Sequence, residues 1–207
     1  MDYRSIEVVA FDCDGVMFDS SEANRAYYNQ VLQYLGRPEM TAEQSAYAHM
    51  HTVDESLRYL IDDPGDLDAA QKYRKQMGYL SFIRHMVMEP HLRALLAKLR
   101  PAFKTAIATN RTDTMERVLM EHELDGQFDL VVTAMDVHHP KPHPEQLQVI
   151  LNHFNIEPDR MIYIGDSALD AQAAQSADVP FIAFRNTSLP AQVHVDSLAQ
   201  VGEILRL

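Results

Sequence analysis

Apolar strands and helical stripes take turns along most of this chain, and that alternation limits the fold more than any other feature. Residues 5–11 (SIEVVAF), 104–109 (KTAIAT), 128–133 (FDLVVT), 160–165 (RMIYIG) and 180–184 (PFIAF) are rich in β-branched and apolar side chains. Such runs are the pattern of strands buried on both faces. Between them, Leu92, Leu95, Leu96 and Leu99, then Met115, Val118 and Leu119, then Leu147, Ile150, Leu151 and Phe154 recur at three- and four-residue spacing, as on amphipathic helices. The second stripe has a start signal at Asp113, with Glu116 three residues on. Strand, helix, strand in succession requires parallel strands joined by right-handed crossovers. The expected fold class is therefore α/β, with a doubly wound parallel sheet.

One segment departs from this rhythm. From Asp19 to Met88 there are helical stripes such as Tyr28, Val31, Leu32 and Leu35, with breaks at GRPEM (36–40) and DDPGDLD (62–68), and no buried strand. A βα crossover usually contains a single helix, so this stretch is too long to be one. Residues 19–88 are expected to form a small helical bundle over the sheet, inserted between two parts of one core, 1–18 and 89–207.

Composition removes several function classes. With 46% apolar and 23% charged residues, the 207-residue chain matches a soluble globular protein, and no apolar run approaches the roughly 18 residues of a membrane span. The first residues, MDYRSIEVVAF, lack a basic region followed by a long apolar stretch, so the expected location is the cytoplasm. Cys13 is the only cysteine, which excludes an intramolecular disulfide. A net charge of −12 with 18 Lys and Arg argues against nucleic acid as a partner. It permits a small anionic substrate, because one divalent cation reverses the local field of a carboxylate-lined pocket. Nothing calls for an obligate protein partner.

Ligands of open α/β sheets bind beyond the carboxyl ends of the strands, so the polar residues that terminate apolar runs are the ones to collect. The first run ends in Asp12, Cys13, Asp14 and Gly15, and the second in Thr109 and Asn110. The loop HHPKPHPE after the third carries Lys141, and GDSALD after the fourth carries Asp166 and Asp170. Any one of these is an ordinary cap or turn residue. Together they place a hydroxyl, an amine and several carboxylates on one rim.

These motifs resemble those of the haloacid dehalogenase superfamily of phosphohydrolases, across most of the chain outside residues 19–88. Phe11-Asp12-Cys13-Asp14-Gly15-Val16 is similar to the first motif, AIATN to the second, Lys141 to the third and Gly165–Asp170 to the fourth. The resemblance implies a Mg²⁺-dependent phosphatase acting on a small phosphorylated metabolite. Asp12 would be the nucleophile that forms an aspartyl phosphate, and Asp14 the general acid and then base. Thr109, Asn110 and Lys141 would bind and neutralise the phosphoryl group. Asp12, Asp14 through its carbonyl, and Asp166 would hold Mg²⁺, with Asp170 holding a metal-bound water. Residues 19–88 would be a helical cap, with Tyr27, Tyr28, Arg58, Arg74 and Arg84 as candidate substrate contacts.

Other readings on the same residues are a phosphomutase, a dehalogenase and, in a different class, a phospho-aspartate signalling module. Val53 stands where mutase-like relatives carry an Arg, and an acid at Asp14 favours phosphoryl transfer over halide release. His49 and His51, and His138, His139 and His143, lack the Cys neighbours or paired helical spacing of a transition-metal site. Cys13 is expected to pack or lend its backbone N–H, and HMVME (85–89) to pack in the core.

Overall fold

A computed structural model describes residues 3–100 and 102–207. In chain order the elements are β1 (Val8–Phe11), β2 (Phe18–Asp19), α1 (Ser21–Tyr34), α2 (Ala42–Met50), α3 (Val53–Leu60), α4 (Pro64–Met77), α5 (Leu80–Ile83), β3 (Val87–Met88), α6 (Leu92–Leu99), β4 (Lys104–Ala108), α7 (Met115–Glu121), β5 (Leu130–Val132), α8 (Glu145–Phe154), β6 (Met161–Gly165), α9 (Ala168–Ser176), β7 (Phe181–Phe184), β8 (Val193–Val195) and α10 (Leu198–Leu205). Six strands form one parallel sheet in the order β5-β4-β1-β6-β7-β8. β4 lies on one side of β1 and β6 on the other, so strand order reverses at β1. That is the switch point where open α/β sheets bind ligands.

Period-two alternation divides the core between the two faces. Val9 and Phe11 join Ile107, Ile162 and Ile164 on one side, under Leu92, Leu95 and Leu96 of α6 and Leu198 and Val201 of α10. Val8 and Ala10 join Ala106, Ala108 and Tyr163 on the other, under Leu147 and Ile150 of α8 and Ala171, Ala173 and Ala174 of α9. Alanines recur on the second face, at Ala10, Ala106, Ala108 and Ala183, and α9 meets it through its own alanines without a leucine stripe.

Phe18 pairs with Met88 and Asp19 with Val87 in a two-stranded antiparallel ribbon, and α1 to α5 all lie between these strands. The chain thus leaves the sheet for its helical segment and returns at one place. Tyr27, Tyr28, Val31 and Leu32 of α1 bury the face that meets α4 and α5. Among the described residues no helix is long and apolar enough to cross a membrane.

Local chemistry moved several expected boundaries. The stretch DDPGDLD does not break structure throughout: Pro64 opens α4, and the Asp63 side chain caps it by accepting from Asp66 N at 2.9 Å. α7 begins after Thr114, with no side-chain cap, so Asp113 and Glu116 form no capping box. In HMVME only Met86 is core among the apolar three, while Val87 is exposed in β3 and Met88 half-buried. The ribbon strands and the short edge strand β8 are two or three residues long, below the length at which periodicity is readable.

Candidate active site

The loop after β1 is tied back on itself. Met17 N and Phe18 N both donate to Cys13 O, and Gly15 N donates to Phe18 O. Gly15 has φ +84°, and a Cβ there would lie 2.0 Å from Asp166 Oδ2. Only glycine lets the first and fourth strand ends approach this closely. Asp12, Asp166 and Asp170 consequently bring one carboxylate oxygen each to within 4.8 Å of one another.

Lys141 reaches into this group from the loop before α8. Its Nζ lies 2.8 Å from Asp12 Oδ1, 2.7 Å from Asp170 Oδ1, 2.8 Å from the Tyr163 hydroxyl and 3.0 Å from Ala108 O. Burial alone would lower the lysine, but Asp12 and Asp170 outweigh it and hold the ammonium charged. The same pairing holds Asp170 below the usual carboxylate range against its own burial. Asp170 Oδ1 meets Lys141 and Tyr163, while Oδ2 accepts from Ser167 N and Oγ in the capping box that starts α9. All four acceptor positions of Asp170 are taken, so it anchors Lys141 rather than facing an ion directly.

Asp12 and Asp166 are in the opposite electrostatic state. Burial pushes Asp12 up to about 7, with Lys141 pulling it down and Asp170 and Asp14 adding to the rise. Burial, then Asp170 and Asp12, pushes Asp166 up to about 8. The all-oxygen cluster has more negative charge than Lys141 offsets, which is the donor set of a hard divalent cation.

This has a measurable consequence. In the folded protein these two groups keep their protons above the ordinary value of 3.8, so the folded state binds more protons than the unfolded one up to about pH 8. Stability of the metal-free protein should fall as pH rises through that window. An added divalent cation displaces the same protons and should stabilise more at the alkaline end. Thermal melts at about pH 5 and about pH 8 are expected to show this trend, and Asp166→Asn to flatten it. His122, which burial holds low, titrates in the opposite sense and is common to both proteins. A metal-free melting temperature that climbs with pH, equally in both, would contradict this reading.

Asp14 faces the other way. Its Oδ1 accepts from Arg111 Nη2 at 2.7 Å and from Ser20 Oγ, so its side chain is not in the carboxylate cluster. As a metal ligand it has only its backbone carbonyl to offer. Burial raises Asp14, but Arg111 and Ser20 outweigh it and hold the carboxyl below its usual range. Arg111 is itself buried, with its plane 5.0 Å from the Tyr79 ring centroid, Nη1 on Thr114 Oγ1, and Nε without a partner among the described residues.

Thr109 is buried at the end of β4, its Oγ1 accepting from Arg111 N at 3.2 Å. The side chain of Asn110 is bonded to the loop that carries Lys141. Oδ1 accepts from Lys141 N and Nδ2 donates to Lys141 O, both at 3.0 Å, and Nδ2 reaches Met50 O at 3.3 Å. It clamps the backbone that presents Lys141. Cys13 is fully buried, and burial holds its thiol protonated, which removes it as a nucleophile.

A cavity opens above these groups. Asp12, Asp14, Thr109, Arg111, Lys141 and Asp166 form its floor, and Asn24, Tyr27, Tyr28, His49, Arg74 and Tyr79 from the helical segment line it as well. Arg58 and Arg84 do not line it and are exposed. Arg111, Ser20, Tyr163, Asn24, His49 and Tyr79 were not singled out by sequence as substrate or site residues. The readable signal was a cation, Arg111, directly after Asn110 at a strand end. A tyrosine within an otherwise apolar buried strand was another, since its hydroxyl needs a partner.

A family model described as haloacid dehalogenase-like hydrolase matches residues 9–184. The chain belongs to the haloacid dehalogenase-like hydrolases. A solved structure of a subfamily IA, variant 1 hydrolase of this superfamily from Geobacter sulfurreducens is 36% identical, with a TM-score of 0.80 and 97% of each chain covered. Phosphoglycolate phosphatase of Aliivibrio fischeri is 25% identical over 186 residues, covering 84% of this chain and 82% of that protein. Pyrophosphatase PpaX of Bacillus pumilus is 26% identical over 184 residues, covering 86% and 82%. As a haloacid dehalogenase-like hydrolase the protein is an enzyme, which sets aside the signalling-module reading. Hydrolases of this family generally use a divalent metal, and the acidic cluster fits one, with Asp12 and Asp166 free to face it and Asp170 behind them on Lys141.

Proposed function

We propose that this hydrolase is a Mg²⁺-dependent phosphatase that releases phosphate from a small phosphorylated metabolite by way of an aspartyl phosphate on Asp12. The observation that carries this reading is the convergence of Asp12, Asp166 and Asp170 within 4.8 Å, with Lys141 bonded to Asp12 on the floor of a cavity that the helical segment also lines. The names of the relatives, a phosphoglycolate phosphatase and a pyrophosphatase, support the same chemistry.

Asp12 attacks phosphorus through a carboxylate oxygen, and the bond from phosphorus to the leaving oxygen breaks. Asp14, ionised while it is paired with Arg111, must first leave that pairing and take up a proton, which it then donates to that oxygen. In the second half, water gives a proton to Asp14 and attacks phosphorus, and the Asp12 carboxylate leaves. Splitting the hydrolysis this way replaces one difficult displacement with two easier ones. Lys141 neutralises charge on Asp12 and the phosphoryl oxygens, and the Thr109 hydroxyl donates to those oxygens. Asp12, Asp166 and the carbonyl of Asp14 would hold Mg²⁺, which when bound supplies positive charge against the clustered oxygens. Asp170 keeps Lys141 in place.

Residues 19–88 act as a cap over the core of 1–18 and 89–207. The cavity between them excludes bulk water and admits small esters rather than polymers. Tyr27, Tyr28 and Arg74 are the cap contacts that remain from the sequence-based set. The test is phosphate release from a panel of phosphorylated metabolites, including phosphorylated two- and three-carbon acids, with and without Mg²⁺. Turnover is expected only with the cation and to vanish in Asp12→Asn; release unchanged by either would refute the proposal.

A further inference from the structure

We propose that the loop leading into α8 is a second metal site, distinct from the carboxylate cluster, where His139, His143 and Glu145 hold a divalent transition-metal ion of the zinc class. The sequence spacing gave no reason to expect this, but folding brings the three together. His139 Nδ1 lies 3.1 Å and His143 Nδ1 3.8 Å from the same oxygen, Glu145 Oε2. One ligand atom from each of the three residues falls within 4.8 Å of the others. Two ligands bound to one Zn²⁺ at about 2.0–2.1 Å with a tetrahedral angle stand roughly 3.3 Å apart, so those two pairs need sub-ångström adjustments and the histidine pair, within 4.8 Å, one of up to about 1.5 Å.

The ligands are also held in place before any ion arrives. Glu145 Oε1 accepts from His138 N and Oε2 from His139 N, both at 2.9 Å, which fixes the carboxylate. Glu145 N donates to His143 Nδ1 at 3.3 Å, so the ring proton sits on Nε2, and an ion at Nδ1 would displace this long hydrogen bond. The His139 and His143 rings are 4.7 Å apart between centroids. Pro140, Pro142 and Pro144 alternate with the loop's other residues and restrict its backbone.

Two imidazoles and a carboxylate suit Zn²⁺, Ni²⁺ or Cu²⁺ rather than Mg²⁺, and three protein ligands leave a position for water. The site is solvent-exposed on its histidine side, open to an ion from bulk. Lys141 lies two residues from each histidine, so an ion there ties together the two sides of the segment that presents this lysine.

The test is calorimetric titration of chelator-treated protein with Zn²⁺ in excess Mg²⁺, which occupies the carboxylate cluster. One equivalent of Zn²⁺ is expected to bind. The double variant His139→Ala/His143→Ala should lose more than the roughly 100-fold in affinity that marks the upper end for loss of an outer-shell partner. It should retain the Mg²⁺-dependent activity. Asp166→Asn should keep the Zn²⁺ equivalent. The proposal fails if no equivalent binds in excess Mg²⁺, if the double histidine variant binds Zn²⁺ as the parent does, or if Asp166→Asn abolishes binding.

Discussion

Lys141→Met is expected to cost this protein both its turnover and much of its stability. The side chain is 3% exposed and is bonded to two carboxylates, Asp12 and Asp170, that are 10% and 0% exposed. Deleting one partner of a buried ion pair leaves uncompensated charge and destabilises by about 3–5 kcal/mol. For a chain of this size each kcal/mol moves the melting temperature by roughly 2–4 °C, so the shift is well above measurement error. Asp12 loses the one cation that pulls its carboxyl down, protonates more readily and attacks less well. Phosphate release should fall by at least about 10²-fold, the scale seen when a charge-stabilising donor is removed from an active site. Thermal melts and steady-state rates on the variant check both parts. A stable variant with unaltered rate would mean that Lys141 merely fills space.

The second large effect concerns Asp14 and Arg111. If Asp14 manages the proton of the leaving group, Asp14→Asn should slow hydrolysis of alkyl phosphates by about 10²- to 10⁴-fold. Transfer from p-nitrophenyl phosphate, whose leaving group departs unprotonated, should suffer much less in a single-turnover measurement. Equal losses on both would remove Asp14 from proton transfer. Arg111 and Asp14 form a pair whose side chains are only 6% and 13% exposed, so Arg111→Met leaves Asp14 buried with Ser20 as its remaining donor. Destabilisation of about 3–5 kcal/mol is expected from the stranded carboxylate. The double variant Arg111→Met/Asp14→Asn should recover part of it, because no buried charge is then left without a partner.

Much of the site was written in the sequence because three of the four core motifs end an apolar run. Asp12 follows VVAF, Thr109 follows TAIA and Asp166 follows MIYIG, so a buried parallel sheet necessarily delivers them to one edge. What remained hidden depends on contacts between segments far apart in the chain. Arg111 meets Asp14 across 97 positions, and Asn110 meets the Lys141 backbone across 31. No local pattern encodes either bond. The helix α9 hid for a different reason: it packs through alanines against β6 and β7 on one sheet face, so it needs no leucine stripe. Arg58 and Arg84 looked like cap contacts because any basic residue in a helical insertion does, and only the packing of α1 to α5 turns Arg74 toward the cavity and leaves those two outside.

The central claim is that phosphorus becomes bonded to Asp12 during turnover. The most direct measurement is to quench the enzyme with acid while it is hydrolysing its best substrate, reduce with tritiated borohydride, which converts an aspartyl phosphate to homoserine, and map the label by peptide mass. Label at position 12, growing with the rate of approach to steady state, is the predicted result. Label at another residue, or full turnover with position 12 never modified, would contradict the account.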